Sequence, residues 1–137
     1  MTDKEQLIKA FVDNFVLKDK RERCYAELTN PKKRGKFTDK LNHKWDTILD
    51  MRCLVKIDKT NDSPGNIQKI LKLRDNDLCY IISNYDDVDD QLIPFKNAFD
   101  RIYSRGLGTL LMNASADTLF LDTEQVQGPA TRFTGKK

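Results

Sequence analysis

The sequence predicts one α/β domain, with an α+β arrangement as the alternative: a four-stranded mixed sheet with two N-terminal helices packed against it. Three features lead to this expectation. Apolar residues recur at helical spacing through the first fifty positions. After Met51 the pattern changes to alternating and continuous apolar runs, interleaved with two further helical stretches. Near residues 108–121, two short apolar runs flank a turn-rich five-residue segment, as in a hairpin.

Thr2, with Glu5 three residues later, fits a capping box. Leu7, Ile8, Phe11, Val12, Phe15 and Val16 then form one apolar face. The pattern blurs across 18–23, resumes at Cys24, Tyr25 and Leu28, and stops at Asn30-Pro31. One long helix, bent in the middle, is expected over about 3–29. Phe37, Leu41, Trp45 and Ile48 predict a second helix over about 37–49, with Lys36, Lys40, His43 and Lys44 on its wet face.

Cys53, Val55 and Ile57 alternate with Arg52 and Lys56 as a strand does. Segment 59–65 has loop chemistry, and 66–74 reads as a short amphipathic helix. The continuous run 78–82 suits a strand covered on both faces. An acidic loop follows over 84–91. Pro94 then opens a helix with Phe95, Ala98, Phe99, Ile102 and Tyr103 on one face, and Gly106 is expected as its cap. Strands at 108–112 and 118–121 close the sheet as a hairpin. Strand-helix-strand order implies right-handed crossovers between parallel neighbours. The domain is expected to span 1–124, helical over 1–50 and sheet-forming over 51–124. The tail 125–137 is expected to be irregular and basic.

Composition narrows the function. The chain has 137 residues, so it can bury roughly two-thirds of its unfolded surface without disulfides or a structural metal. One histidine excludes multi-imidazole sites, and three cysteines cannot form an all-cysteine zinc site. Cys24, Cys53 and Cys79 lie in apolar segments and form no CxxC, as expected of reduced thiols in a cytoplasmic protein. The N-terminus lacks the apolar core of a secretory signal, and no window approaches a membrane span.

Charge is unevenly distributed. Residues 1–74 carry 18 basic and 11 acidic groups; residues 75–124 carry 3 and 10. The densest basic stretch contains Lys32, Lys33, Arg34, Lys36, Lys40 and Lys44, which are candidates for phosphate contacts. Phe37 and Trp45 could stack on bases, although their spacing is that of core residues. Asp86, Asp87, Asp89 and Asp90 follow a predicted strand end, where oxygen ligands could hold a divalent cation. The calcium-loop template fails there, because Val88 breaks the alternation and its glycine is missing. Gly106 and Gly108 run from helix to strand, the wrong polarity for a phosphate-binding loop. His43 is the only imidazole available to Cys79 or Ser83, and no nucleophile-elbow motif surrounds either. Asp122 and Glu124 read as a solvent-facing strand edge.

Three stretches together carry a resemblance: Lys20-Arg21-Glu22-Arg23 with Gly35-Lys36-Phe37-Thr38-Asp39-Lys40-Leu41, then Cys79-Tyr80-Ile81-Ile82-Ser83, then Gly106-Leu107-Gly108-Thr109. In that order they resemble a set of small bacterial proteins with no assigned activity. The resemblance implies a bacterial, cytoplasmic, single-domain protein and no particular chemistry.

The expectation is a non-enzymatic protein-binding or regulatory module, of adaptor or immunity type, using opposed basic and acidic faces. Its partner is a protein or a second copy of itself, without cofactor or membrane. The alternative is nucleic-acid binding through the 32–44 segment. A third reading is metal-assisted phosphotransfer or hydrolysis on the 84–90 loop.

Overall fold

The first fifty residues fold as their helical spacing dictates, but in four pieces. The computed structural model describes residues 3–125 and 131–137. Thr2 and the Gly128-Pro129 pair of the tail therefore lie outside the described residues. α1 (Asp3–Phe15) buries Leu7, Ile8, Phe11, Val12 and Phe15. The expected long helix breaks after it, because Val16 forms an antiparallel bridge with Leu49. Leu17 N–H donates to Ile48 O at 2.9 Å, and Asp50 N–H donates to Phe15 O at 2.8 Å. A single 3-10 turn (Lys18–Lys20), which buries nothing, leads into α2 (Arg21–Thr29). The second helix is also divided, into α3 (Arg34–His43) and α4 (Trp45–Ile48), at Lys44 with φ −130°.

The rest alternates strands and helices. β1 (Leu54–Lys56) precedes α5 (Pro64–Leu71), whose Ser63 cap accepts a hydrogen bond from Asn66 N–H. α5 ends at Lys72, in the left-handed region with φ 57°. β2 (Leu78–Ser83), β3 (Leu92–Pro94), α6 (Phe95–Ile102), β4 (Thr109–Asn113), β5 (Thr118–Asp122) and β6 (Arg132–Lys136) follow. Gly106 has φ 105° but lies in the loop beyond α6 rather than capping it.

The class is mixed α/β, but the sheet differs from expectation in size and direction. It has six strands among the described residues, in the order β1-β6-β5-β4-β2-β3, and every neighbouring pair is antiparallel. The expected unit from 78–82 through the helix after Pro94 to 108–112 links β2 to β4, which are antiparallel neighbours because β3 intervenes in the chain. Strands of like direction are joined by the units β1-α5-β2 and β3-α6-β4. Neither joins neighbours, because β2 lies between β3 and β4, and β4, β5 and β6 lie between β1 and β2. The two unforeseen strands explain the correction. β3 comes from the end of the acidic segment, and β6 comes from the tail expected to be irregular.

β6 pairs on both sides, with β5 and β1, although it offers few apolar residues. Phe133 covers one position, and Gly135 admits Leu54 and Phe15 so closely that a Cβ there would lie 2.8 Å from Leu54 Cδ2. The sheet is covered on both faces. Tyr80, Ile82, Leu110, Met112, Leu119, Leu121 and Phe133 pack against α1–α4. Cys79, Ile81, Leu111 and Phe120 pack against α5 and α6. The continuous apolar run of β2 follows from this two-sided burial. Among the described residues, no helix is long and apolar enough to cross a membrane.

Gly108, at the start of β4, lies against α3. A Cβ there would sit 2.5 Å from the Leu41 carbonyl oxygen and 2.9 Å from Leu41 Cβ. Gly108→Ala is expected to destabilise the fold by about 2–3 kcal/mol in urea unfolding. Gly65→Ala, in α5 with open space around it, should be stabilising by about 0.5–1 kcal/mol.

Candidate functional site

The acidic loop is largely neutralised inside the fold. Val88 is fully buried and anchors it. Asp89 accepts from Arg34 Nε at 2.7 Å and Nη2 at 2.9 Å, and from Ser83 N–H at 2.9 Å. This two-point fork suits a guanidinium and a carboxylate. Arg34 Nη1 also donates to the Leu28 carbonyl, and the guanidinium sits 5.6 Å over the Tyr80 ring. Asp90 accepts from the Tyr80 hydroxyl and lies 3.7 Å from Lys4 Nζ. Asp87 pairs with Arg105 at 3.0 Å, whose guanidinium stacks 3.7 Å over Tyr85. Asp86 is exposed, with no ion pair among the described residues. Asp87 thus faces Arg105, while Asp89 and Asp90 share Arg34, with Asp90 also near Lys4. No group of three His, Cys, Asp or Glu side chains among the described residues could hold a metal ion.

The basic segment divides in two. Arg34 is buried, and Lys40 Nζ lies 3.2 Å from both oxygens of the buried Glu27. Phe37 is fully buried, and the Trp45 ring packs on Phe133 at 5.1 Å, so neither forms a stacking platform. Lys32, Lys33, Lys36 and Lys44 stay exposed, without ion pairs among the described residues. Positions 36, 40, 43 and 44 share one side of α3 by helical spacing. With Arg23, Glu27 and Asp39 they line a cleft of about 490 Å³ between α2 and α3. His43, at its edge, places Nδ1 3.0 Å from Glu124 Oε2.

The candidate nucleophiles do not meet this imidazole. Cys79 packs on the α5–α6 face of the sheet. Ser83 Oγ is engaged by the Thr109 hydroxyl and by Tyr85 N–H. Burial pushes the thiols up, Cys24 to about 11 and Cys79 to about 12.

Two polar knots escaped the sequence reading. Asn42 and Asn84 exchange side-chain hydrogen bonds at 3.2 and 3.0 Å. Asn84 also donates to Thr38 O and Gly108 O, and Asn42 Oδ1 accepts from Gly108 N–H. The second knot corrects the expectation of an exposed edge, since Asp122 is buried in β5. Arg132 donates from Nε to Asp122 at 3.1 Å and from Nη1 to Asp62 at 2.6 Å. Tyr103 completes the knot by donating to Asp62 at 2.7 Å.

Comparison with protein-family models, curated proteins and solved structures finds no match to this chain.

Removing Arg34 would leave Asp89 without its cation. Arg34→Met should destabilise by about 3–5 kcal/mol in urea unfolding. The double variant Arg34→Met/Asp89→Leu should lose less than the two single losses added together. Thiol labelling at pH 8 gives an independent check of the core. Cys24 and Cys79 should react on the order of a hundredfold slower in the folded protein than in denaturant.

Proposed function

We propose that this chain is a non-enzymatic protein-binding module, of adaptor or regulatory kind, that docks an acidic partner in the cleft between α2 and α3. One observation carries the reading. Arg23, Lys36 and Lys44 carry no ion pair among the described residues, yet Glu27 and Asp39 stand among them. A phosphate backbone repeats one sign of charge and is repelled by such carboxylates. A protein surface can meet both signs at once. The burial of Arg34 and Phe37 and the packing of the Trp45 ring on Phe133 also weigh against base recognition. The opposed acidic face is not part of this proposal, because Arg34, Lys4 and Arg105 already engage it. Three unpaired cysteines are consistent with a reducing, cytoplasmic setting.

Nucleic-acid binding is the second reading, favoured by the exposure of Lys32 and Lys33 just before α3. Fluorescence anisotropy with a short, net-acidic peptide of glutamates interspersed with lysines and a short single-stranded oligonucleotide separates the two. The peptide should bind at low salt, weaken as salt screens it, and lose about tenfold in affinity in Lys36→Glu/Lys44→Glu. Absence of peptide binding at low salt would overturn the proposal. Tighter, variant-sensitive binding of the oligonucleotide would replace it with the second reading.

A further inference from the structure

The cleft ends in a histidine–carboxylate contact that the docking reading leaves unused. His43 Nδ1 is 3.0 Å from Glu124 Oε2. That oxygen is nevertheless buried with no hydrogen-bond partner, so the two atoms are close but not aligned. Buried acceptors are nearly always satisfied in folded proteins, and an orphan marks a place where a donor is wanted. The His43 side chain is 66% exposed and lines the cleft, which leaves its other nitrogen open to a ligand.

Resting on the cleft as the docking surface for an acidic partner, we propose that a partner carboxylate binds His43 Nε2 and that complex formation takes up a proton. The argument is one of valence. A carboxylate can only accept, and a neutral imidazole has a single N–H to donate. An imidazole held between the partner's carboxylate and Glu124 satisfies both only when both ring nitrogens carry hydrogen. The added proton comes from solvent and forms the second N–H bond; no other bond changes. Docking the partner thereby places a charged imidazole 3.0 Å from Glu124 Oε2.

The surroundings allow this. On α3 the neighbours are Lys36, Asp39 and Lys40, with Lys44 just after its last residue; on α2 they are Arg23 and Glu27. Lys40 is already countered by Glu27. Arg23, Lys36 and Lys44 oppose a further positive charge, while Asp39, Glu124 and the incoming carboxylate favour it. The partner's carboxylate adds to the charges that favour the second proton.

Calorimetry with the same net-acidic glutamate–lysine peptide, in two buffers of different ionisation enthalpy, reads the proton directly. Uptake of about one half to one proton per complex is expected near neutral pH. Affinity should rise about threefold or more from pH 8 to pH 6. His43→Gln, an exposed substitution, should keep salt-sensitive binding but show no uptake and a flat pH profile. Glu124→Gln should reduce the uptake. Wild-type binding without uptake, or with the same pH profile as His43→Gln, would overturn this inference and leave the docking reading standing. No binding at low salt at either pH would overturn both.

Discussion

The fork between Arg34 and Asp89 is the contact on which the arrangement of the two halves depends. Arg34 opens α3, and its guanidinium reaches the end of α2 through Leu28 O and the loop after β2 through Asp89. One buried side chain thus ties the helical layer to the sheet. Such a pair is unforgiving, since either partner alone would be a charge removed from water. The other end of α3 is fixed by the Asn42–Asn84 exchange and by the close approach of Gly108 to Leu41. With both ends held, α3 becomes a firm wall of the cleft. Lys36, Lys40 and Lys44, spaced four apart, follow one line along that wall.

Much of this was legible from periodicity. The apolar face of α1, the two-sided burial of β2 and the hairpin of β4 and β5 each follow from patterns of period 3.6 or 2. What periodicity could not convey was pairing between distant segments. Val16 and Leu49 sit in stretches that read as helix, and their bridge interrupts both helices. β3 is three residues long and ends in proline, which suits an edge and reads as the start of α6. β6 reads as tail because its sheet positions hold Gly135 and Arg132. One is small because Leu54 and Phe15 crowd it, and the other is charged because Asp122 and Asp62 await it.

Charge segregated along the chain does not remain segregated in space. The basic first half and acidic second half meet at Arg34–Asp89, and Lys4 reaches Asp90 near the same junction. Opposite charges far apart in sequence are therefore part of what joins the halves. A pair of opposed binding faces does not result. The basic residues that remain are those for which the fold provides no carboxylate, and it is their position that directs attention to the cleft.

The separation between structural and available cations was written in the helix phase of 32–44. That segment contains a single arginine, and it falls at 34, in phase with the buried Phe37 and Leu41. A charged residue on the apolar stripe of a helix must find a buried partner, and a forked guanidinium suits that task better than an ammonium. Lys36 lies on the opposite phase and Lys44 follows the last residue of α3, both in contact with water. Counting six cations as one patch merges two populations with different duties. Phase and burial together assign Arg34 to the fold and leave Lys36 and Lys44 in water, beside the contact of His43 with Glu124.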